Sequence, residues 1–205
     1  MILQAILFDL GGVLVDWDGT TPLVELSRGR LSAEQARRFW LQSPWVRRLE
    51  TGQCQSLEFA VGVLDELNLG ASLTPRRFLE AFRSWDKGPL PGAERILGQL
   101  QPRHTLACLS NNNRLHWGNP QLQILLKYFR HCFVSFETGL MKPDRAAFEF
   151  AVRGIGLPPG EILFLDDNIE CVQTARDLGL HAFQAPGLAG VHQALANAGI
   201  KIEPG

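Results

Sequence analysis

Short apolar segments alternate with helix-like segments along this chain, and this alternation restricts the fold more than any other feature of the sequence. The apolar segments are residues 2–8, 104–109, 131–136, 161–165 and 180–183. All of them are rich in apolar or β-favouring residues, which is typical of buried strands. Apolar strands that alternate with helices predict an α/β fold: a Rossmann-like parallel sheet flanked by helices on both faces.

Three of the predicted strands run directly into a polar residue. These residues are Asp9, Ser110 and Asp166. Ligands on a parallel sheet bind beyond the carboxyl ends of its strands. We therefore expect the three side chains to converge on one crevice.

The stretch between the first two strands, residues 16–88, is too long for an ordinary strand-to-helix connection. Ser32 and Gln35 form a capping-box pattern, and apolar periodicity predicts further helices over 57–68 and 75–85. We expect these residues to form a small helical cap domain. The predicted division is a core domain of residues 1–15 and 89–205 with a cap domain of residues 16–88.

The composition argues against several classes of partner. Of 205 residues, 20 are lysine or arginine and 21 are aspartate or glutamate, so the net charge is −1 and gives no electrostatic reason to bind nucleic acid. No apolar run approaches the roughly 20 residues that span a bilayer, and the N-terminus lacks the pattern of a secretion signal. The four cysteines form no closely spaced pair. We expect a cytoplasmic protein with neither a nucleic-acid nor a membrane partner.

The first polar strand exit reads FDLGGVLVD, with Asp9 followed by Gly11 and Gly12. Glycines let the backbone approach a ligand closely, although Asp and Gly are also common in plain turns. The second exit, LSNNN, offers Ser110 and Asn111 as donors to an anion, or alternatively an Asn-rich turn that begins a helix.

Two further motifs carry charge. Lys142 in GLMKPD comes before Pro143, which predicts a helix start whose positive end would attract an anion, although a lone lysine is often just exposed. Asp166 and Asp167 in FLDDN repel each other and so call for a cation, and Mg²⁺ suits such ligands. The alternative for Asp167 is a capping box with Glu170 for a helix over 168–178.

The order of these motifs resembles the haloacid dehalogenase superfamily. Its four motifs correspond to FDLGGVLVD, LSN, the lysine of GLMKPD, and FLDDN. The resemblance extends over nearly the whole chain and includes a type 1 helical cap inserted after the first motif. The segments SNNNRLH and LETGQ are similar to those of the glucose-1-phosphate phosphatase-like subgroup.

This resemblance implies a mechanism and its residues. Asp9 would be the nucleophile that forms an aspartyl-phosphate, and Lys142 would hold phosphate oxygens together with Ser110 and Asn111. The implied Mg²⁺ ligands are Asp9, the carbonyl oxygen of Gly11, and Asp167, with Asp166 close by or bound through water. The implied partner is a small phosphorylated metabolite, with sugar phosphates as one candidate class, and we expect a monomer or a weak homodimer.

One position departs from the family pattern. Phosphatases of this superfamily usually carry a second Asp two residues after the nucleophile, as general acid and base, and here that position is Gly11. Water can serve as the proton donor in place of this Asp if the leaving hydroxyl group is acidic. Otherwise Asp16, Asp18 or His116 would carry the proton, and of these we predict Asp16.

Three functions are compatible with the sequence. The first is a Mg²⁺-dependent phosphatase. The second is a 2-haloacid dehalogenase, a branch that usually has an aromatic residue at the position of Gly11 and lacks the paired aspartates. The third is a non-catalytic protein that binds a phosphorylated ligand, for which the missing second Asp is the main argument.

Overall fold

A computed structural model describes residues 2–203 of the chain. Residues 1, 204 and 205, which close the two ends of the predicted core domain, lie outside the described residues. The strands in chain order are β1 (Ala5–Phe8), β2 (Val15–Trp17), β3 (Asp86–Pro89), β4 (Thr105–Ser110), β5 (His131–Val134), β6 (Ile162–Asp166) and β7 (His181–Gln184).

Five of these strands form one parallel sheet in the order β5-β4-β1-β6-β7, and this confirms the predicted α/β class. The first strand lies at its centre, between β4 and β6. The predicted strand over 131–136 is too long, because β5 ends at Val134 and residues Ser135–Thr138 turn into a short helix.

Helices cover both faces of the sheet and fill the stretch between β2 and β3. In chain order they are α1 (Thr20–Leu26), α2 (Ala33–Gln42), α3 (Pro44–Glu50), α4 (Ser56–Glu66), α5 (Pro75–Arg83), α6 (Ala93–Leu100), α7 (Arg114–Trp117), α8 (Pro120–Leu126), α9 (Ser135–Thr138), α10 (Arg145–Ile155), α11 (Ile169–Asp177) and α12 (Gly187–Asn197), with a 3₁₀ helix at Pro159–Glu161. None of the helices within residues 2–203 has the length and apolarity needed to cross a bilayer.

Alternate residues of β1 pack against different layers of helices. Ile6 and Phe8 belong to one hydrophobic cluster, while Ala5 and Leu7 belong to another on the opposite face. All four are fully buried. This two-sided burial explains why the strand is apolar throughout rather than alternating.

We call helices α1 to α5 the inserted helices. They begin after β2, end before β3, and have a hydrophobic cluster of their own. Ser32 and Gln35 make the predicted capping box at the start of α2, each side chain bonding the backbone of the other residue. Buried aromatic rings fill the cluster, and Phe82 contacts Phe59 and Phe78 with centroids 5.2 and 6.0 Å away.

Candidate active site

The polar strand exits predicted to converge lie on three adjacent strands. Asp9 directly follows β1, Ser110 is the last residue of β4, and Asp166 is the last residue of β6. The Asp9 N–H donates to the carbonyl of Leu165 (2.8 Å), which continues the pairing of β1 with β6 past the strand end. Ser110 is 2% exposed. The sheet therefore brings these residues to one edge.

Three carboxylates meet at this edge. One oxygen from each of Asp9, Asp166 and Asp167 lies within 4.8 Å of the other two. Asp9 and Asp166 are buried, whereas Asp167 is exposed. Burial raises the pKa of Asp9 to about 7, against the opposing charge of Lys142 and with the help of the two other carboxylates. Burial and Asp166 likewise raise the pKa of Asp167.

Lys142 is the cation within this cluster. Its Nζ lies 2.8 Å from Asp9 Oδ1 and 2.6 Å from Asp166 Oδ2, and the side chain is 3% exposed. Burial acts to lower the pKa of Lys142, but the charges of Asp166 and Asp9 outweigh it and hold the pKa above its usual range. The lysine is therefore charged at neutral pH, and the alternative of a solvent-exposed lysine is wrong.

The backbone of Lys142 is held by Asn111. The side-chain Oδ1 of Asn111 accepts from the Lys142 N–H, and its Nδ2 donates to the Lys142 carbonyl, both at 2.8 Å. This use of both ends of the amide leaves the backbone N–H of Asn111 for the predicted phosphate contact. The predicted helix start at Pro143 is wrong, because α10 begins at Arg145 with Asp144 as its N-cap.

The two adjacent aspartates differ in their contacts. Asp166 accepts from the Asn168 N–H (2.8 Å) in addition to its ion pair with Lys142. Asn168 is the N-cap of α11, and its side chain accepts from the Glu170 N–H. The capping-box alternative for Asp167 is therefore wrong, and its carboxylate is left for another role.

The glycines after Asp9 have different steric surroundings. Gly12 has φ +72°, and a Cβ placed on it would lie 2.7 Å from Asp167 Oδ2. Only glycine lets this loop and that carboxylate approach so closely. A Cβ on Gly11 would meet only Trp17 Cβ, at 3.8 Å. Lack of space for a Cβ therefore does not explain why position 11 carries glycine instead of the second Asp.

The acidic cluster fits a hard divalent cation. Its donors are all carboxylate oxygens, which Mg²⁺ prefers. Burial is the main cause of the raised pKa of Asp9, and the negative charges of Asp166 and Asp167 add to the rise. Asp9, Asp166 and Asp167 were all expected as ligands from the sequence. Gly11 lies in the loop directly after Asp9, and its carbonyl oxygen stays a predicted ligand.

The candidate proton carriers have other partners and are not members of this cluster. Asp16 is on β2, where its partly exposed carboxylate lies 3.7 Å from Lys87 Nζ. Asp18 accepts from the N–H groups of Thr20 and Thr21 at the start of α1.

His116, the third candidate, is buried, and both of its ring nitrogens are bonded. Nε2 lies 2.7 Å from the carbonyl of Phe82, and Nδ1 lies 3.2 Å from Asn113 Nδ2. His116 therefore connects α7 to the inserted helices.

Sequence reasoning missed one carboxylate, that of Glu50 at the end of α3. Burial raises the pKa of Glu50 to about 7, the charge of Asp9 adds to the rise, and Lys142 opposes it. Because the charges of both Asp9 and Lys142 influence this pKa, Glu50 lies near the acidic cluster. Its only signal in the sequence is its place in LETGQ, two residues before Gly52.

Comparison with known proteins identifies a matching family and several related proteins. A model of the haloacid dehalogenase-like hydrolases matches residues 3–179. A D-ribitol-5-phosphate phosphatase of Bacteroides thetaiotaomicron is 28% identical, over 95% of this chain and 97% of that protein. A drimenol cyclase of Aspergillus calidoustus is 26% identical over 88% of this chain, which spans 34% of that longer protein.

Solved structures show the same fold. A haloacid dehalogenase family enzyme from Bacteroides thetaiotaomicron, crystallised with magnesium and inorganic phosphate, superimposes with a TM-score of 0.73. It is 23% identical, and the match covers 89% of this chain and 94% of that one.

Proposed function

Since the chain belongs to the haloacid dehalogenase-like hydrolases, we propose that it is a Mg²⁺-dependent phosphatase. It removes phosphate from a small phosphorylated metabolite through an aspartyl-phosphate intermediate. One observation carries this proposal: three carboxylates lie within 4.8 Å of one another around a buried lysine, at the carboxyl edge of the sheet.

The cluster suits phosphoryl transfer because that reaction depends mainly on positioning and charge stabilisation. Mg²⁺, held by Asp9, Asp167 and the Gly11 carbonyl with Asp166 close by or through water, would neutralise repulsion between carboxylate and phosphate and polarise the phosphoryl oxygens. Asp9 attacks phosphorus with its carboxylate. Splitting the displacement into two steps in this way lowers the barrier of each.

The remaining residues hold the phosphoryl group. Lys142 contacts non-bridging oxygens, as do the Ser110 hydroxyl and the Asn111 N–H. Asn111 also keeps Lys142 in place through its two bonds to the lysine backbone. Groups already oriented in this way stabilise the developing charge without reorganising during the reaction.

A polyol or sugar phosphate is the proposed substrate class. The support is the relative that acts on D-ribitol 5-phosphate and matches along nearly its whole length. We propose that residues 16–88 form a cap domain over the site, inserted into a core of residues 1–15 and 89–205. This proposal is supported by the ion pair between Arg47 of α3 and Asp144, and by the charge of Arg37 of α2, which opposes the rise in the pKa of Asp167.

The acidic cluster also argues against the two alternatives. A dehalogenase attacks carbon without a metal ion and has no use for the paired Asp166 and Asp167. A protein that only binds a phosphorylated ligand has no use for the Asp9 carboxylate, which would repel a phosphate dianion in the absence of catalysis.

The test is phosphate release from a panel of pentitol, pentose and hexose phosphates and from 4-nitrophenyl phosphate. We expect turnover with Mg²⁺ and none with a chelator. Asp9→Asn should lower kcat by at least about 10³-fold while the protein keeps its fold, because Asn cannot form the covalent intermediate. An Asp9→Asn protein that keeps most of its turnover would disprove the nucleophile assignment, and chelator-resistant halide release from 2-haloacids would favour a dehalogenase.

A further inference from the structure

The structure leaves the proposed phosphatase without an obvious proton carrier. Gly11 has no side chain to serve as one. The ring nitrogens of His116 and the carboxylate of Asp18 are occupied by the backbone and side-chain bonds described above. Asp16 lies on β2 beside Lys87 and is absent from the acidic cluster. For an alkyl phosphate, whose leaving oxygen is a poor leaving group without a proton, an acid in another part of the fold is therefore needed.

Glu50 is held over the sheet edge by contacts on both sides of it. Three residues before it, Arg47 forms an ion pair with Asp144, which lies two residues after Lys142. Two residues after it, Gly52 approaches the backbone of Phe136 so closely that a Cβ would lie 2.4 Å from the Phe136 carbonyl oxygen. These contacts fix the end of α3 against the segments that follow β5 and Lys142.

The carboxylate of Glu50 is also uncommitted. Among residues 2–203, no side chain or backbone group donates a hydrogen bond to it and no cation pairs with it. The residue is partly buried, and the charges of both Asp9 and Lys142 influence its pKa. Partial burial of an acid without a protein partner is unfavourable for stability, and acids in such surroundings are often found at functional sites.

We propose that Glu50 is the general acid and general base of the reaction, in place of the aspartate missing at position 11. This inference rests on the proposed phosphatase function. In the first step an Asp9 oxygen forms a bond to phosphorus, the bond from phosphorus to the leaving oxygen breaks, and that oxygen takes its electron pair and the Glu50 proton. The alcohol then departs.

In the second step Glu50, now ionised, accepts a proton from water as the water oxygen bonds to phosphorus. The bond between phosphorus and Asp9 breaks, and its electrons return to the Asp9 carboxylate. Inorganic phosphate is released with Glu50 protonated again. A pKa near 7 populates both forms of Glu50 at neutral pH, as the two roles require.

The experiment uses Glu50→Gln and two substrates whose leaving groups differ. Gln has the shape of the protonated acid but donates no proton. For the alkyl phosphate that the wild type hydrolyses fastest, we expect kcat/KM to fall by about 10²–10⁴-fold. For 4-nitrophenyl phosphate, kcat/KM should change little because nitrophenolate leaves unprotonated, and a burst of nitrophenol should appear because the second step still needs the base.

Three variants serve as comparisons. Glu50→Asp, which keeps a carboxylate, should recover part of the lost alkyl-phosphate activity. Glu80→Gln changes an exposed glutamate of α5 and should behave as wild type with both substrates. Asp16→Asn should leave the ratio of the two kcat/KM values unchanged. Thermal unfolding of each variant shows whether it is folded.

The outcomes separate this inference from the phosphatase proposal. If the wild type hydrolyses neither substrate, the proposed function itself is wrong. If the wild type hydrolyses both and folded Glu50→Gln loses neither or loses both equally, only the role of Glu50 is wrong. A selective loss of alkyl-phosphate turnover in Asp16→Asn would likewise overturn it and would assign the proton transfer to Asp16.

Discussion

The sheet edge and the inserted helices are both well buried, but different forces hold them together. At the sheet edge, Lys142 is paired with Asp9 and Asp166, and its backbone is bonded by Asn111. The cluster of the inserted helices consists of apolar side chains, with aromatic rings such as Phe82 at its centre. One region depends on matched charges, and the other depends on the apolar area that it buries.

Because of this difference, we expect the sheet edge to keep one geometry and the inserted helices to tolerate more substitutions. Buried charges tolerate few arrangements, because each must keep its partner, so the sheet edge holds its groups in one geometry. Apolar packing accepts several side chains of similar volume, so the inserted helices are free to vary while keeping their fold. Glu50 and His116 lie where the two regions meet.

The largest expected effect comes from removing the central cation. Lys142→Met should lower the free energy of unfolding by about 3–5 kcal/mol in the presence of a chelator, because two buried carboxylates lose their partner. It should also abolish turnover. Lys127→Met, which removes an exposed pair with Glu94, should cost no more than about 1 kcal/mol. Denaturant unfolding measures the loss of unfolding free energy in both variants. Equal losses would contradict the difference between the buried and the exposed ion pair.

A similar loss of stability in the inserted helices should leave the chemistry intact. Phe59→Ala removes a fully buried ring that contacts Phe78 and Phe82, and should cost about 3–5 kcal/mol. Leu57→Ala, at an exposed position of the same helix, should cost less than about 0.5 kcal/mol. At a temperature where Phe59→Ala is folded, we expect kcat close to wild type. A loss of kcat without a loss of stability would show that this cluster acts on the site directly.

The smallest expected effect concerns the connection between the two regions. Burial lowers the pKa of His116 from its ordinary 6.5, so the unfolded chain binds a proton more readily than the folded chain does. His116 therefore contributes a decrease in the free energy of unfolding as the pH falls below about 6.5, whereas Asp9 and Glu50, whose pKa values burial raises, contribute a change of the opposite sign. His116→Gln should remove this contribution, so that on acidification its free energy of unfolding falls less, or rises more, than that of the wild type. The contribution of His104, whose pKa burial also lowers, is the same in both proteins. An unchanged pH dependence in the variant would exclude this contribution from His116.

The sequence predicted the sheet more accurately than the ends of its elements. The parallel sheet confirms the predicted α/β class. This class was predictable because strands that are buried on both faces are apolar throughout, and this pattern of residues can be read from each strand separately. The predicted end of β5 and the predicted start of α10 were wrong. At these points local propensity allows either choice, and packing decides where the element ends.

The sequence by itself determined which residues stand at the sheet edge. Asp9, Ser110 and Asp166 each come at a strand end, and parallel strands bring their carboxyl ends to the same side whatever the loops do. Residues that are far apart in the chain thus become neighbours in space, because each stands at the carboxyl end of its own strand.

Only the tertiary structure decided how the other polar groups are used. It bonds the Asn111 amide to the Lys142 backbone, places Asp16 beside Lys87, and pairs Arg47, near the end of α3, with Asp144. These contacts join segments that are far apart in the chain, and the packing of the inserted helices on the sheet sets the distances between them. No periodicity or local motif encodes such a distance, because it depends on all the side chains packed between the two segments.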